Sequence, residues 1–125
     1  MIYLDTHVVI WLYAGLEEKF SQQARALINQ HDLLISPIVR LEVQYLYEVG
    51  RITVDARAII DDLEERIGLQ ICDAPFDQVV SRSMALSWTR DPFDRLIVAQ
   101  AQVGWEPLLT KDETIRSHFP NAIWP

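Results

Sequence analysis

Cysteine and histidine are scarce in this sequence, and their scarcity limits the kinds of site it can build. Cys72 is the only cysteine, which excludes an internal disulfide and a cysteine-based zinc site. The three histidines stand far apart and form no cluster. Cys72 itself lies in the apolar run 69–72 and is interpreted as a buried, inert thiol. Any metal site is therefore expected to use oxygen ligands.

Positive charge is also in short supply, and long apolar runs are missing. The formal net charge is −7, and the eleven basic residues are scattered without forming a basic tract. Because nucleic-acid phosphates are normally met by clustered Lys and Arg, this charge argues against broad, non-specific nucleic-acid binding. Neither a basic leader nor an apolar segment of membrane-spanning length is found. We therefore expect a cytoplasmic protein without a secretion signal or a membrane span.

Short apolar runs alternate with helical patterns along the whole chain. With 125 residues, of which 50% are hydrophobic, the chain is expected to form one domain over residues 1–125. Strands are predicted at 2–4, 33–35, 69–72, 108–110 and 122–124. Helices are predicted at 8–13, 21–30, 37–49, 54–67, 76–88, 92–103 and 113–117. This alternation predicts an α/β fold whose mainly parallel central sheet of about five strands is flanked by helices.

Prolines and glycines mark the ends of several predicted helices. Pro37 and Pro92 fit first-turn positions, where a missing N–H is tolerated. Gly50, Gly68 and Gly104 each follow a helical pattern and are interpreted as its C-terminal stop.

Glu42 stands at an unexpected position in the helical pattern 37–49. A helical wheel surrounds it with Ile38, Tyr45, Leu46 and Val49, so its charge is predicted to lie in the middle of the apolar stripe. An ionised carboxylate drawn toward a core is costly unless it is paired or bound to a metal. A buried pair with an arginine is one explanation for Glu42, and a shared acidic site is the one we favour.

Three further acids stand where the predicted strands end or the following helices begin. Asp5 ends the first strand, Asp112 follows the fourth, and Asp94 opens the helix 92–103. In a parallel α/β fold ligands collect beyond the carboxyl ends of the strands, so these acids and Glu42 are predicted to converge.

Each of these acids also has a purely structural interpretation. Asp112 could simply N-cap the short helix 113–117, and Asp5 could end its strand beside a turn. Asp91 fits the N-cap of the helix that begins at Pro92, which leaves Asp94 free to point into a cleft. Thr6 is interpreted as the N-cap of the first helix, with a second possible role beside Asp5 in orienting a metal-bound water.

Several carboxylates without a histidine or cysteine cluster favour Mg²⁺ or Mn²⁺. Phosphodiester cleavage is the chemistry that such a site suggests, because the metal activates water and offsets phosphate charge. Basic residues beside the acids, Arg90, Arg95 and Lys111, are candidates for phosphate contacts, although isolated basic side chains are usually solvated.

Four segments of the chain match one family in the same order. They are residues 3–7, 35–43, 90–101 and 109–112, and the Asp-Pro-Phe-Asp-Arg block at 91–95 is the most specific. With these segments the chain resembles the PIN-domain ribonucleases, specifically the VapC-type toxins of toxin–antitoxin pairs. The resemblance implies that Asp5, Glu42, Asp94 and Asp112 occupy the acidic metal positions. It also implies that Thr6, and Thr110 or Asp91, assist them.

The resemblance further implies a Mg²⁺- or Mn²⁺-dependent endoribonuclease whose water attack on RNA leaves a 5′-phosphate. It implies an antitoxin protein that wraps the toxin and blocks the site, and a homodimer. A wide apolar arc on the helix 37–49 fits a partner or a second copy. Thr89 departs from the family pattern, since many members carry histidine there, which affects a local contact and substrate preference.

Two other classes of function remain open on the sequence. A Mg²⁺-dependent phosphatase or receiver domain could share the fold, but no Asp-x-Asp follows the first strand. A non-catalytic protein-interaction or RNA-binding module would use the acids as helix caps and ion-pair partners, and would show no dependence on a cation.

Overall fold

Five short strands form one parallel sheet in the computed structural model, which describes residues 1–125. The strands β1 to β5 are Ile2–Leu4, Leu33–Ile35, Gln70–Ile71, Leu108–Leu109 and Ala122–Ile123. Their order across the sheet is β3-β2-β1-β4-β5, and every neighbouring pair is parallel. The prediction of an α/β fold with a mainly parallel sheet of about five strands is confirmed.

Seven helices connect and cover the strands. The helices α1 to α7 are Thr6–Ala14, Gln22–Gln30, Pro37–Glu48, Ala56–Ile67, Phe76–Ser83, Pro92–Gly104 and Glu113–His118. A 3₁₀ turn at Glu17–Lys19 separates α1 from α2. Parallel strands need crossover connections, and these helices supply them. None of them combines the length and apolar character that crossing a membrane requires.

The core explains why the strand sequences are apolar runs without alternation. Ile2 and Leu4 of β1, Ile35 of β2, and Leu108 and Leu109 of β4 are each at most 1% exposed. A strand covered by helices on both faces must bury side chains on both faces, so consecutive residues are hydrophobic. These side chains belong to one cluster of 28 buried residues.

The strand order reverses direction between β1 and β4. The chain runs outward from β1 to β2 and β3, then returns to the other side of β1 with β4. Connections therefore leave β1 and β4 in opposite directions and open a crevice at their carboxyl ends, the usual place for a ligand in such sheets. Asp5 and Thr110 are the first residues after these two strands.

The predicted element boundaries agree with the structure within two residues, except at the end of α5. The helix predicted over 76–88 stops at Ser83, so its last part is wrong. The Ser83 hydroxyl donates to the Val80 carbonyl oxygen at 2.6 Å, and the chain then turns to bury Leu86, which is 7% exposed. Serine hydroxyls compete with the helix for backbone partners, which favours ending the helix here.

The first helix begins earlier than predicted, and Thr6 is not its cap. Asp5 is the N-cap, with extended backbone angles, and its carboxylate accepts from the Thr6 amide at 2.8 Å. Thr6 is the first helical residue and is fully buried. The predicted capping role of Thr6 is therefore wrong, and its hydroxyl is free to bond elsewhere.

Gly104 does not end α6 in the predicted way. It is the last helical residue, and Trp105 takes the left-handed conformation beyond it, with φ of 56°. A Cβ at Gly104 would lie 3.1 Å from the Tyr3 hydroxyl oxygen, so a larger residue would force the Tyr3 ring to move by a few tenths of an ångström. Gly68 does fulfil the predicted role, capping α4 at φ of 71°.

Cys72 is half-buried, and its sulfur accepts from the Tyr3 hydroxyl at 3.1 Å.

Candidate active site

The ends of β1 and β4 are tied together by a buried hydrogen bond. The Thr110 hydroxyl donates to Oδ2 of Asp5 at 2.5 Å, while Oδ1 of Asp5 accepts from the Thr6 amide. Asp5 is 8% exposed and Thr110 is fully buried. Both oxygens of a nearly buried carboxylate therefore have a donor, which is the condition for holding such a group at a fixed orientation.

Glu42 enters the same crevice from α3. Val39 and Val43 are fully buried, whereas Tyr45 and Val49 are about half exposed. Glu42 thus lies at the border of the buried face, and the prediction that it sits in the middle of the apolar stripe is wrong. The helical wheel predicted that α3 packs against the core along the face that contains Ile38 and Glu42. In the structure the helix is rotated, so that Val39 and Val43 point into the core.

The partner of Glu42 is a hydroxyl group and not an arginine. Thr6 donates a hydrogen bond from its hydroxyl to Oε1 of Glu42, joining α1 to α3. The only ion pair in the protein is Arg66 with Asp62 on α4, at 2.9 Å. The interpretation of Glu42 as half of a buried ion pair with arginine is therefore wrong.

The acids at the start of α6 divide their roles as predicted. Asp91 is the N-cap, and its Oδ1 accepts from the amides of Phe93 and Asp94 at 2.8 and 3.2 Å. Pro92 is the first helical residue, and the Asp94 side chain lines the cleft. Asp91 also lines the cleft, so the cap residue and the free acid face the same space.

Asp112 serves both as a helix cap and as a cleft residue. Its Oδ1 accepts from the Ile115 amide at 2.9 Å, capping α7, and its own amide donates to the Thr110 hydroxyl oxygen at 3.1 Å. The Thr110 hydroxyl therefore contacts Asp112 as acceptor and Asp5 as donor. This single group sets the spacing of the loop after β4 from the end of β1.

These acids surround one cleft with a volume of about 370 Å³. Its lining residues are Asp5, His7, Val8, Trp11, Glu42, Asp91, Asp94, Lys111 and Asp112. The four acids that the sequence predicted to converge do lie around this common space. Five carboxylates face one lysine there, so the cleft is strongly anionic unless cations offset the charge.

Arg95 is not among the residues that line the cleft. Its Nε donates to the Thr89 carbonyl oxygen at 2.8 Å, and the Thr89 hydroxyl accepts from the Asp91 amide at 3.2 Å. Arg95 and Thr89 together hold the segment that leads into the Asp91 cap. The predicted phosphate contact by Arg95 therefore has no support in the side-chain geometry, because its guanidinium is used to order the chain.

Burial perturbs two of the carboxylates that have hydroxyl partners. Burial raises the pKa of Asp5 above its ordinary value, and hydrogen bonds from Thr110 and the Thr6 amide oppose the rise. Burial likewise raises the pKa of Glu42; the Thr6 hydroxyl bond opposes this rise, and repulsion from Asp5 adds to it. Perturbation by burial and like charge is common at functional sites.

Asp94 has no hydroxyl partner, and its pKa is also raised above the ordinary value. Burial is the largest cause, followed by repulsion from the other four carboxylates of the cleft, and together they raise the pKa of Asp94 to about 7. Four negative neighbours with no positive partner make its ionised form costly. A bound cation would reverse this cost.

The donor set suits a hard divalent cation by its chemistry. Every strong candidate ligand is a carboxylate oxygen, the type that Mg²⁺ and Mn²⁺ prefer. As the side chains stand, no three Asp, Glu, His or Cys residues are arranged so that they could hold one metal ion. Like charges repel, and Asp5, Glu42 and Asp112 are each occupied by hydrogen-bond donors of the protein.

Two residues of the cleft were missed as site residues in the sequence. Neither His7 nor Trp11 was singled out in the sequence, yet both line the cleft together with the acids. The available signal was their spacing: His7 is two residues from Asp5, and Trp11 is four residues further along the same helix. Residues four apart on a helix share a face, so both follow Asp5 into the crevice.

The fold and this cleft are consistent with one family-level match. The family model for the PIN domain matches residues 2–118. The chain belongs to the PIN domain family. The resemblance drawn from the four sequence segments is therefore confirmed at the level of the family.

Proteins and solved structures that are similar to this PIN domain protein match it over nearly their whole length. It is 29% identical over 129 residues to Ribonuclease VapC22 of Mycobacterium tuberculosis, with 98% of each chain covered. Among solved structures, it is similar to VapBC2 from Rickettsia felis bound to a DNA fragment from their promoter, with a TM-score of 0.68, 21% identity and full coverage of both chains. A toxin–antitoxin complex from Klebsiella pneumoniae gives a TM-score of 0.70 at 21% identity, covering 98% of this chain and 96% of that one.

Proposed function

We propose that this chain is a divalent-metal-dependent endoribonuclease, the toxin of a VapC-type toxin–antitoxin pair. The observation that carries the proposal is the common cleft of Asp5, Glu42, Asp94 and Asp112, which come from four separate segments. It occurs in a chain that is similar over 98% of its length to Ribonuclease VapC22. Convergence of four acids on one space has no structural benefit of its own, since it costs repulsion.

In this proposal the four acids hold Mg²⁺ or Mn²⁺. When bound there, the cation would supply a lowered pKa for a water molecule and positive charge to offset that of the phosphodiester. The buried hydroxyls of Thr6 and Thr110 hold Glu42 and Asp5 in place, so that their carboxylates keep one orientation. Asp91 keeps the start of α6 ordered, and Arg95 assists by holding the segment before it.

The net charge of −7 agrees with this proposal once cations are counted. Two divalent ions would add +4 and leave −3, and the neutralisation would be concentrated where the polyanion enters. RNA binding would then depend on the loaded site and not on a general basic surface.

We infer a cytoplasmic protein with an antitoxin partner and a tendency to self-associate. Both similar structures are of toxin–antitoxin systems by their descriptions. Leu41 and Tyr45 on α3 and Val49 directly after it are 49–56% exposed, which leaves an apolar surface for a partner or a second copy. Sedimentation of the lone chain tests self-association, and a monomer at all concentrations would contradict it.

The test of the catalytic proposal is cleavage of RNA by the purified chain with Mn²⁺, with Mg²⁺, and with a chelator. We expect cleavage only with the cations, and loss of at least about a hundredfold in rate for Asp5→Asn and Glu42→Gln. Asp61→Asn, on the exposed side of α4, is the matched control and should cleave normally. Circular dichroism of each variant shows that the fold persists.

The result separates the three classes of function. Cation-dependent RNA cleavage that needs Asp5 and Glu42 supports the nuclease. Hydrolysis of a phosphomonoester such as p-nitrophenyl phosphate without RNA cleavage indicates a phosphatase. Absence of both activities, together with no change of melting temperature on adding Mn²⁺, indicates a non-catalytic module and overturns the proposal.

A further inference from the structure

One wall of the acidic cleft is aromatic. His7 and Trp11 lie one helical turn apart on α1, with ring centroids 6.1 Å apart and planes inclined by 48°. Both line the cleft with the carboxylates. His7 is exposed, whereas Trp11 is partly exposed and has the Lys19 ammonium over its ring, 5.3 Å from the centroid. The wall therefore offers ring surface to the cleft mainly through His7.

The wall is rigid because Trp11 is supported from behind. Its ring meets Phe20 and Trp124 edge-on, with centroids 6.3 and 5.8 Å apart. Phe20 and Trp124 also contact each other at 5.6 Å, which closes a three-ring cluster. Aromatic pairs in these arrangements are favourable, so the Trp11 ring is held without needing a ligand. His7 projects from this support toward the acids.

Lys111 is the only lysine or arginine that lines the cleft. Once cations offset the five carboxylates, Lys111 adds one ammonium group that attracts a phosphate of the entering RNA chain. The uncharged face of a base has no partner among these charged groups, and aromatic side chains are the usual surfaces on which proteins stack bases. The cleft therefore offers a place for one phosphate and a separate place for one base.

We propose that His7 and Trp11 form a stacking subsite for an unpaired base of the RNA, next to the phosphate that Lys111 contacts. This inference rests on the proposed nuclease function and adds to it a subsite for a base, formed by two named side chains. A base that lies on a protein ring must leave its own helix, so the substrate nucleotide at the cut is in a single-stranded loop, bulge or end. Double-stranded RNA cannot fill this subsite.

The first test compares His7→Phe with His7→Leu. Both variants remove the imidazole with its two nitrogen atoms, and they differ in whether a ring remains. For single-stranded RNA that the wild type cleaves, we expect His7→Leu to raise KM about tenfold with little change of kcat. His7→Phe should restore KM to within about threefold of the wild type. Equal KM values for the two variants would overturn the stacking role.

A second test pairs the protein ring with the base. RNAs that carry a single abasic nucleotide at each position flanking the cut are compared with the intact RNA, using wild type and His7→Leu. We expect one abasic position to lower kcat/KM for the wild type about tenfold and to have little further effect on His7→Leu. Additive losses at every position would contradict the subsite.

Failure of this inference is distinguishable from failure of the nuclease proposal. Wild-type cleavage with equal His7→Phe and His7→Leu kinetics removes the stacking subsite and leaves the nuclease intact. Equal cleavage of fully paired and single-stranded RNA has the same consequence. Absence of cation-dependent cleavage of any RNA by the wild type overturns both.

Discussion

The Thr110 hydroxyl donates a 2.5 Å hydrogen bond to Oδ2 of Asp5 across 105 positions of sequence, joining the ends of β4 and β1. This contact lies at the place where the strand order reverses, so it holds the two walls of the crevice at a fixed separation. The same hydroxyl accepts from the Asp112 amide at 3.1 Å. One buried side chain thus relates two of the four proposed ligands to each other.

Replacing Thr110 by valine should destabilise the protein by about 1–3 kcal/mol. Valine keeps the shape but removes the donor to a nearly buried carboxylate and the acceptor for an amide. Urea denaturation of Thr110→Val and Thr110→Ser measures this, and serine, which keeps the hydroxyl, should lose much less. A loss for serine as large as that for valine would contradict a specific contribution of the two hydrogen bonds.

The stability of the metal-free protein should fall as pH rises from about 4 to about 7. The pKa of Asp94 is about 7 when folded and 3.8 as the ordinary value, so the folded state holds a proton that the unfolded state has released. That contribution is fully present below pH 3.8 and is lost as pH rises through about 7. Melting temperatures of the wild type, measured in the presence of a chelator at a series of pH values, should fall over this range.

Asp94→Asn should flatten this pH profile, because asparagine has no proton to lose. Asp61→Asn, at an exposed position of α4, is the control and should keep the wild-type slope. The raised pKa values of Asp5 and Glu42 act in the same direction, so some slope should remain in Asp94→Asn. An unchanged slope would mean that Asp94 is ionised freely in the folded protein.

Glu42→Gln should stabilise the metal-free protein by about 1 kcal/mol. It should also remove the stabilisation that Mn²⁺ gives to the wild type. Glutamine keeps an oxygen that can accept from Thr6, while the repulsion and the desolvation of a charge disappear. Thermal melts with chelator and with a Mn²⁺ series measure both effects. Glu48→Gln, on the exposed end of the same helix, is the control and should retain the Mn²⁺ response.

Trp105→Gly should stabilise the protein by about 1 kcal/mol. Trp105 has φ of 56° and is 88% exposed, so its Cβ is strained while its ring makes few contacts. Trp105→Ala removes the same ring and keeps the strained Cβ, so it should leave stability nearly unchanged. Chemical denaturation of the pair checks this, and a stabilising alanine would show that exposure of the ring, and not backbone strain, was the cost.

The sequence by itself determined the alternation of buried strands and helices, the cap at Asp91 with Pro92 as the first helical residue, and the positions of acids after the strands. These depend on hydrophobic periodicity and on contacts within a few residues, which a sequence displays directly. The family followed from the order of four segments. The end of α5 was missed because a serine hydroxyl and the burial of Leu86 outweighed a helical pattern.

Only the tertiary structure decided which side chains became neighbours. The bonds of Thr110 to Asp5 and of Thr6 to Glu42 join residues 105 and 36 positions apart, and no local pattern predicts them. Packing also turned Arg95 toward the backbone and brought His7 and Trp11 into the cleft. The physical reason is that strand order and helix rotation are set by burying the whole core at once, and the direction of each polar side chain follows from that packing.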